Sequence, residues 1–167
     1  MRKRFAANTL PALTLAVVSM MAAGCSGDAR VSKAIGRLVD ERKSETIRLA
    51  DATSFEWDQV YLFGPYRARR DVCTTLGIQE KDCERQIRFE SQDDGEMSIA
   101  FLANGRLVHY VRHSRANGDF TPVPAAQPLS RDHAVFRRLP REDAWGGPAP
   151  ERLVLEGAGV SPQGPRQ

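Results

Sequence analysis

Phe55-Glu56-Trp57-Asp58-Gln59-Val60-Tyr61-Leu62-Phe63-Gly64-Pro65-Tyr66 holds five of the chain's twelve aromatic residues, so this is where a core can nucleate. Val60 to Phe63 is a continuous apolar and aromatic run, and a strand of that pattern is usually buried on both faces. It reads as the central strand. Gly64-Pro65 ends it, because proline supplies no ladder donor and glycine accepts backbone angles that other residues resist.

Outward from this strand, Tyr66 to Gly77 reads as a short helix with Ala68, Val72 and Leu76 on one face and Gly77 as its cap. Cys73 lies beside that face, opposite a loop carrying Cys83. Gln86 to Glu90 alternates Ile87 and Phe89 with charged residues, which predicts a half-buried strand, and Asp93-Asp94-Gly95 predicts a turn. Met97 to Ala103 and Arg106 to Arg112 flank Asn104-Gly105, a strong hairpin signal because both turn residues accept positive φ. Ile99, Phe101, Leu107 and Val111 are its expected core contacts, with Val108 on the opposite face.

Asn117 to Ser130 is proline-rich and reads as a surface loop without regular structure. Ala134 to Leu139 and Arg152 to Leu155 read as the last two strands, separated by a turn around Trp145-Gly146-Gly147-Pro148. On the N-terminal side, Ala34, Ile35, Leu38 and Val39 recur at helical spacing and predict an amphipathic helix over Ser32 to Lys43, weakened by Gly36. Thr46 to Ala50 alternates like a short strand. The expected fold is α+β: one mostly antiparallel sheet of about five or six strands with one or two helices on one face. A single domain over residues 31–156 carries it, followed by a disordered tail, 157–167.

Residues 1–24 have a different character. Arg2, Lys3 and Arg4 form a positive start, Leu10 to Met21 an apolar segment, and Ala22-Ala23-Gly24 a small-residue site, the pattern of an export signal. A permanent membrane span is the weaker reading, because the apolar part is short and carries Pro11 and Ser19. Ala22-Ala23-Gly24-Cys25 resembles the lipobox of bacterial lipoproteins, with Ala22 where Leu is usual. The resemblance implies that residues 1–24 are removed and that Cys25 is acylated, which anchors the chain in a lipid bilayer effectively permanently. The competing reading is ordinary secretion with a chance cysteine. Ser26 in place of aspartate then implies the outer membrane, periplasmic face, and residues 25–30 become a lipidated tether.

Without residues 1–24, which hold three basic side chains and no acidic ones, the chain carries 21 of each sign, so the pI near 9.0 belongs to the precursor. A balanced, exported domain excludes a nucleic-acid role. With Cys25 acylated, Cys73 and Cys83 remain as a pair in an oxidising compartment, and a disulfide is expected. It would stabilise the fold by roughly 2–3 kcal/mol. The rival readings are a zinc pair, which lacks a Cys-x-x-Cys or nearby histidines, and a redox couple, which lacks the same motif.

The chain shows no catalytic motif and asks for no cofactor. His109 and His113 share a strand face at a separation of roughly 13 Å, too far to ligate one metal, and read as exposed strand positions. His133 follows Asp132 in a loop, with no nucleophile-elbow serine or cysteine beside it. Asp93, Asp94 and Glu96 suggest calcium or, more simply, a turn. Tyr66, Arg67, Arg69 and Arg70 form the candidate binding surface, suited to an anionic envelope ligand through guanidinium forks; a solvated helix face is the plainer alternative. Trp57 and Asp58 read as a core indole and a hydrogen-bonded turn carboxylate.

Trp57-Asp58-Gln59-Val60-Tyr61-Leu62-Phe63-Gly64-Pro65-Tyr66 resembles the Trp-Asp-x-Val-Tyr-x-Phe-x-Pro-Tyr segment of small, uncharacterised bacterial lipoproteins and exported proteins. The resemblance implies export and a compact α+β domain, with no activity or site residues to carry over. The expected function is non-enzymatic: an envelope-anchored binding or structural accessory with an envelope protein as partner. The alternatives are a lipoprotein that captures a small ligand or acts as an inhibitor through the arginines near Tyr66, and a hydrolase.

Overall fold

The computed structural model describes residues 27–41, 45–139 and 149–157. The stretch read as an export signal with Cys25, the turn expected around Trp145 and the tail expected after Gly157 lie outside the described residues. The fold is α+β, with seven strands in two antiparallel sheets instead of one sheet of five or six.

The larger sheet contains β2 (Gln59–Phe63), β3 (Glu96–Ala103), β4 (Arg106–Ser114) and β5 (Leu129–Ser130) in the order β4-β3-β2-β5. The smaller contains β1 (Thr46–Arg48), β6 (Val135–Leu139) and β7 (Arg152–Leu155) in the order β1-β6-β7. β2 is an inner strand, as its composition predicts. Val60 and Leu62 enter one apolar cluster, while Phe63 and half-buried Tyr61 enter another. β3 is more completely covered still, with every residue from Met97 to Leu102 buried. Its Met97, Ile99 and Phe101 serve the first cluster, and Ala100 and Leu102 the second.

The helices divide between these two clusters instead of sharing one face. Helix α1 (Gly27–Glu41) sends Val31, Ile35 and Val39 into the first, together with the smaller sheet's Ile47, Phe136 and Leu153. Helices α2 (Arg69–Leu76) and α3 (Glu80–Gln86) cover the second through Val72, Cys73 and Cys83. The Cys73–Cys83 disulfide joins them with a Cα–Cα distance of 5.8 Å. Gly77 closes α2 at φ +66, the left-handed cap its position predicts.

Several local expectations change in three dimensions. α1 opens at Gly27, inside the stretch read as a tether, and β1 gives way after three residues to a 3-10 turn, Leu49–Ala52, that buries Leu49 and Ala52. Cys83 sits in a helix rather than a loop, and Gln86 to Glu90 is not a strand. Ile87 is buried and Phe89 lies 4.6 Å from the Tyr110 ring, so the alternation is real, but it reports one-sided burial without a pairing partner. The hairpin forms at Asn104-Gly105, φ +52 and +70. Phe101 pairs with His109 but Leu102 with Leu107, so Val108 is an extra residue on β4 and the parity flips. Leu107 therefore joins the second cluster, away from Val111, and Val108 is exposed.

Over residues 121–128 the proline-rich segment is the irregular surface loop expected, but its two ends are drawn into the fold, the second as β5. Its start turns inward at buried Gly118, Asp119 and Phe120, and the Phe120 ring meets Phe136 edge-on at 4.8 Å. Further along, the Gln127 side chain accepts from the Leu62 amide at 2.6 Å and donates to the Leu62 carbonyl at 3.1 Å. It substitutes for a neighbouring strand and blunts the open edge of β2. Gly118 holds φ +130, and a Cβ there would stand 2.7 Å from Leu153 Cδ1 and 3.3 Å from Val39 Cγ2. We expect Gly118→Ala to lower stability by about 2–3 kcal/mol, read as a lower urea midpoint at unchanged slope, because it combines overpacking with a conformation that alanine resists.

Candidate functional site

Where β2 ends, Gly64-Pro65 turns the chain and places Tyr66 at φ +59 with 62% of its surface exposed. Positive φ at a bulky residue is uncommon, since the Cβ crowds the backbone. α2 then begins without a side-chain cap of its own. The Glu90 carboxylate supplies one from the 87–92 segment, accepting from the Arg69 amide at 2.7 Å, where the helix dipole favours an anion. The corner is thus held from outside itself.

The four predicted surface residues do not form one arginine patch. Tyr66, Arg67 and Arg70 face solvent, and Arg70 approaches Asp71 at 4.0 Å. Arg69 points away from Arg70, because neighbouring helical residues diverge by about 100°, and is half-buried with its guanidinium 3.5 Å from the exposed carboxylate of Glu84. Arg69 lines a cleft of about 350 Å³ with Arg88, Phe89, Glu90, Glu96 and Arg112. The Arg112 guanidinium lies over the Phe89 ring, 4.7 Å from its centre, and reaches both Glu96 oxygens at 3.2 Å. Sequence reasoning missed Phe89, Glu90 and Arg112 as site residues. The alternation at 86–90 was the available signal, but it does not say what the exposed positions face.

His113 corrects the expectation of an exposed strand position: it is fully buried, whereas His109 is half-buried with its ring 3.9 Å from Phe55. The two share a face as predicted, and α1 covers the His113 end. Ser32 Oγ accepts from the Ser114 amide at 3.1 Å and from Asn117 Nδ2 at 2.9 Å, so its own proton is directed to His113 Nδ1 at 3.0 Å. His113 Nε2 therefore carries the ring proton and donates to the Gly118 carbonyl at 2.8 Å. Burial drives the His113 pKa down to about 4, against the opposing pull of the Gly118 carbonyl and the Asp119 charge.

Asp119 is the adjoining node. Burial pushes its pKa up, but two-point pairing with Arg115 at 2.9 and 2.8 Å and bonds from the Thr121 amide and hydroxyl at 2.9 and 2.6 Å outweigh that and hold it below the usual carboxylate range. Its backbone bonds to Glu151 and Leu153, tying the segment to the smaller sheet.

Other candidates resolve locally. Ser130 Oγ contacts His133 Nδ1 at 2.7 Å, an exposed turn contact three residues apart. Asp93 Oδ1 accepts from the Gly95 amide at 2.7 Å, as a turn carboxylate does, and among the described residues no cluster of His, Cys, Asp or Glu is placed to hold a metal. Trp57 is buried with its Nε1 donating to Thr53 at 2.9 Å, and Asp58 accepts from the Asn104 amide at 2.7 Å. Among the described residues no helix is long and apolar enough to cross a membrane. Comparison with protein-family models, curated proteins and solved structures finds no match to this chain.

The buried histidine makes a pH prediction. Its folded pKa lies below the unfolded value of 6.5, so the unfolded chain takes up the proton first as pH falls. Stability is then lost progressively from near 6.5 down to about 4, by about 3 kcal/mol from this group. Urea unfolding across that range measures the loss, and His113→Gln should flatten it while lowering stability at neutral pH.

Proposed function

We propose that this chain is an envelope lipoprotein, anchored through Cys25, whose domain is a non-enzymatic binding module that docks an envelope protein at the Tyr66–Arg70 corner. The lipobox-like Ala22-Ala23-Gly24-Cys25 supports the anchor, with the outer membrane as its place because Ser26 follows. The observation that carries the docking surface is Tyr66, an exposed aromatic held at positive φ where glycine or asparagine is usual. A strained, solvent-facing tyrosine flanked by arginines has the composition of an interface anchor. Both Ser–His contacts have structural explanations, one in a sealed node and one in a turn, which supports a non-enzymatic reading.

A second reading is capture of a small acceptor-bearing ligand in the adjacent cleft. Arg69 Nε, buried and without a hydrogen-bond partner, favours it. Against it, the arginines at the cleft's ends are already paired, Arg69 with Glu84 and Arg112 with Glu96.

A photoreactive residue at Tyr66 or Arg70 in intact cells should give a discrete protein adduct, and one at exposed Arg137 on β6 should not. Equal patterns at all three positions would count against a dedicated corner. Tyr66→Gly should remove the docking contact yet raise stability by about 1 kcal/mol, since glycine accepts this conformation at no steric cost. Metabolic labelling with palmitate should be lost in Cys25→Ser.

A further inference from the structure

The outward face of α1 separates its charges along the helix. Arg30, Lys33 and Arg37 fall within about 60° of one another around the axis and span about 10 Å along it. All three are exposed, opposite the buried face of Val31, Ile35 and Val39. The last turn has no base and carries Asp40 and Glu41, although the helix dipole favours cations there. Val39's carbonyl instead receives a cation from another element, Arg138 of β6, at 2.8 Å. The bases of α1 thus run along its middle and stop short of its acidic last turn, and among the described residues no carboxylate pairs with Lys33 or Arg37. Beside them runs a groove of about 500 Å³, lined by Arg30, Lys33, Arg37, Ser54 and His109, with Asp51 the one carboxylate among the described lining residues.

The start of this helix also lies next to the expected anchor. Cys25 precedes Gly27 by two residues, at most about 7 Å of extended chain, so an acylated Cys25 keeps the first turns of α1 close to the bilayer surface. We infer that the Arg30–Lys33–Arg37 face rests on anionic phospholipid headgroups and thereby sets the orientation of the domain on the membrane. The inference rests on the reading of Cys25 as the lipid anchor. Phosphate oxygens match these bases and the hydroxyl of Ser54, and the acidic end of α1 is pushed away from the same surface.

The test uses the full acylated chain in vesicles of phosphatidylcholine, with and without phosphatidylglycerol, and maps lysine reactivity by amine acylation and mass spectrometry. Lys33 should be labelled about five-fold less on the anionic vesicles, the factor expected for one base at an anionic surface. High salt should restore the labelling. Lys81, exposed on α3 across the larger sheet, should react equally on both. Arg37→Glu, which leaves the buried face of α1 untouched, should abolish the protection. Equal labelling of Lys33 on the two vesicle types by a chain whose Cys25 carries acyl mass overturns the headgroup contact alone. A chain that lacks acyl mass and leaves the vesicles at high salt overturns the anchor reading, and this inference with it.

Discussion

The structure depends on the coverage of β3. A strand buried at every position from Met97 to Leu102 needs an apolar layer on each side, and neither layer can be omitted without exposing half of it. On one side the layer is composite: α1 supplies Val31, Ile35 and Val39, and the smaller sheet supplies Ile47, Phe136 and Leu153. On the other side the layer is two short helices of eight and seven residues, with Ile78, Ile87 and Phe89 from the segments beside them. Helices that short are marginal in isolation. The Cys73–Cys83 bond and the Glu90 carboxylate at the Arg69 amide hold them where Val72 and Ile87 can be buried.

The composite layer needs a different kind of fastening, because α1, the end of β4 and the smaller sheet are distant in sequence. Two adjoining polar nodes supply it. Ser32 and His113 bind α1 to β4 and to the Gly118 carbonyl, and Asp119 carries the connection through its backbone to Glu151 and Leu153. In a low-dielectric interior these bonds have value only while every donor and acceptor is matched. A second proton on the imidazole would add a donor where Ser32 already donates, so the network is built around the neutral ring. The same economy appears at the open edge of β2, where one glutamine amide satisfies both backbone groups of Leu62. The described domain is therefore tightly specified at its seams, while its exposed features, the Tyr66 corner and the basic face of α1, lie on the outside of the two opposite layers.

What the sequence determined by itself is what depends on local chemistry. The Asn104-Gly105 turn, the run from Val60 to Phe63, the cap at Gly77, the indole of Trp57 and the pairing of two cysteines are set by residue type and near neighbours, and so is the α+β class. Tertiary structure decided whatever depends on which face is covered and by what. Ile87 and Phe89 alternate as in a strand, yet they pack on the face of β4 without pairing to any strand. His113 looks like His109 in the chain, but only one of them lies beneath Ser32. The single extra residue at Val108 moves Leu107 to the opposite cluster, because side-chain direction in a strand has a period of two. Of the four candidate surface residues, three reach solvent and Arg69 lines a cleft whose other wall, Arg112 over Phe89, comes from 43 and 20 residues further along the chain. Local preference acts over a few residues, whereas burial is settled by the partner that arrives, and the partner is known only once the chain has closed on itself.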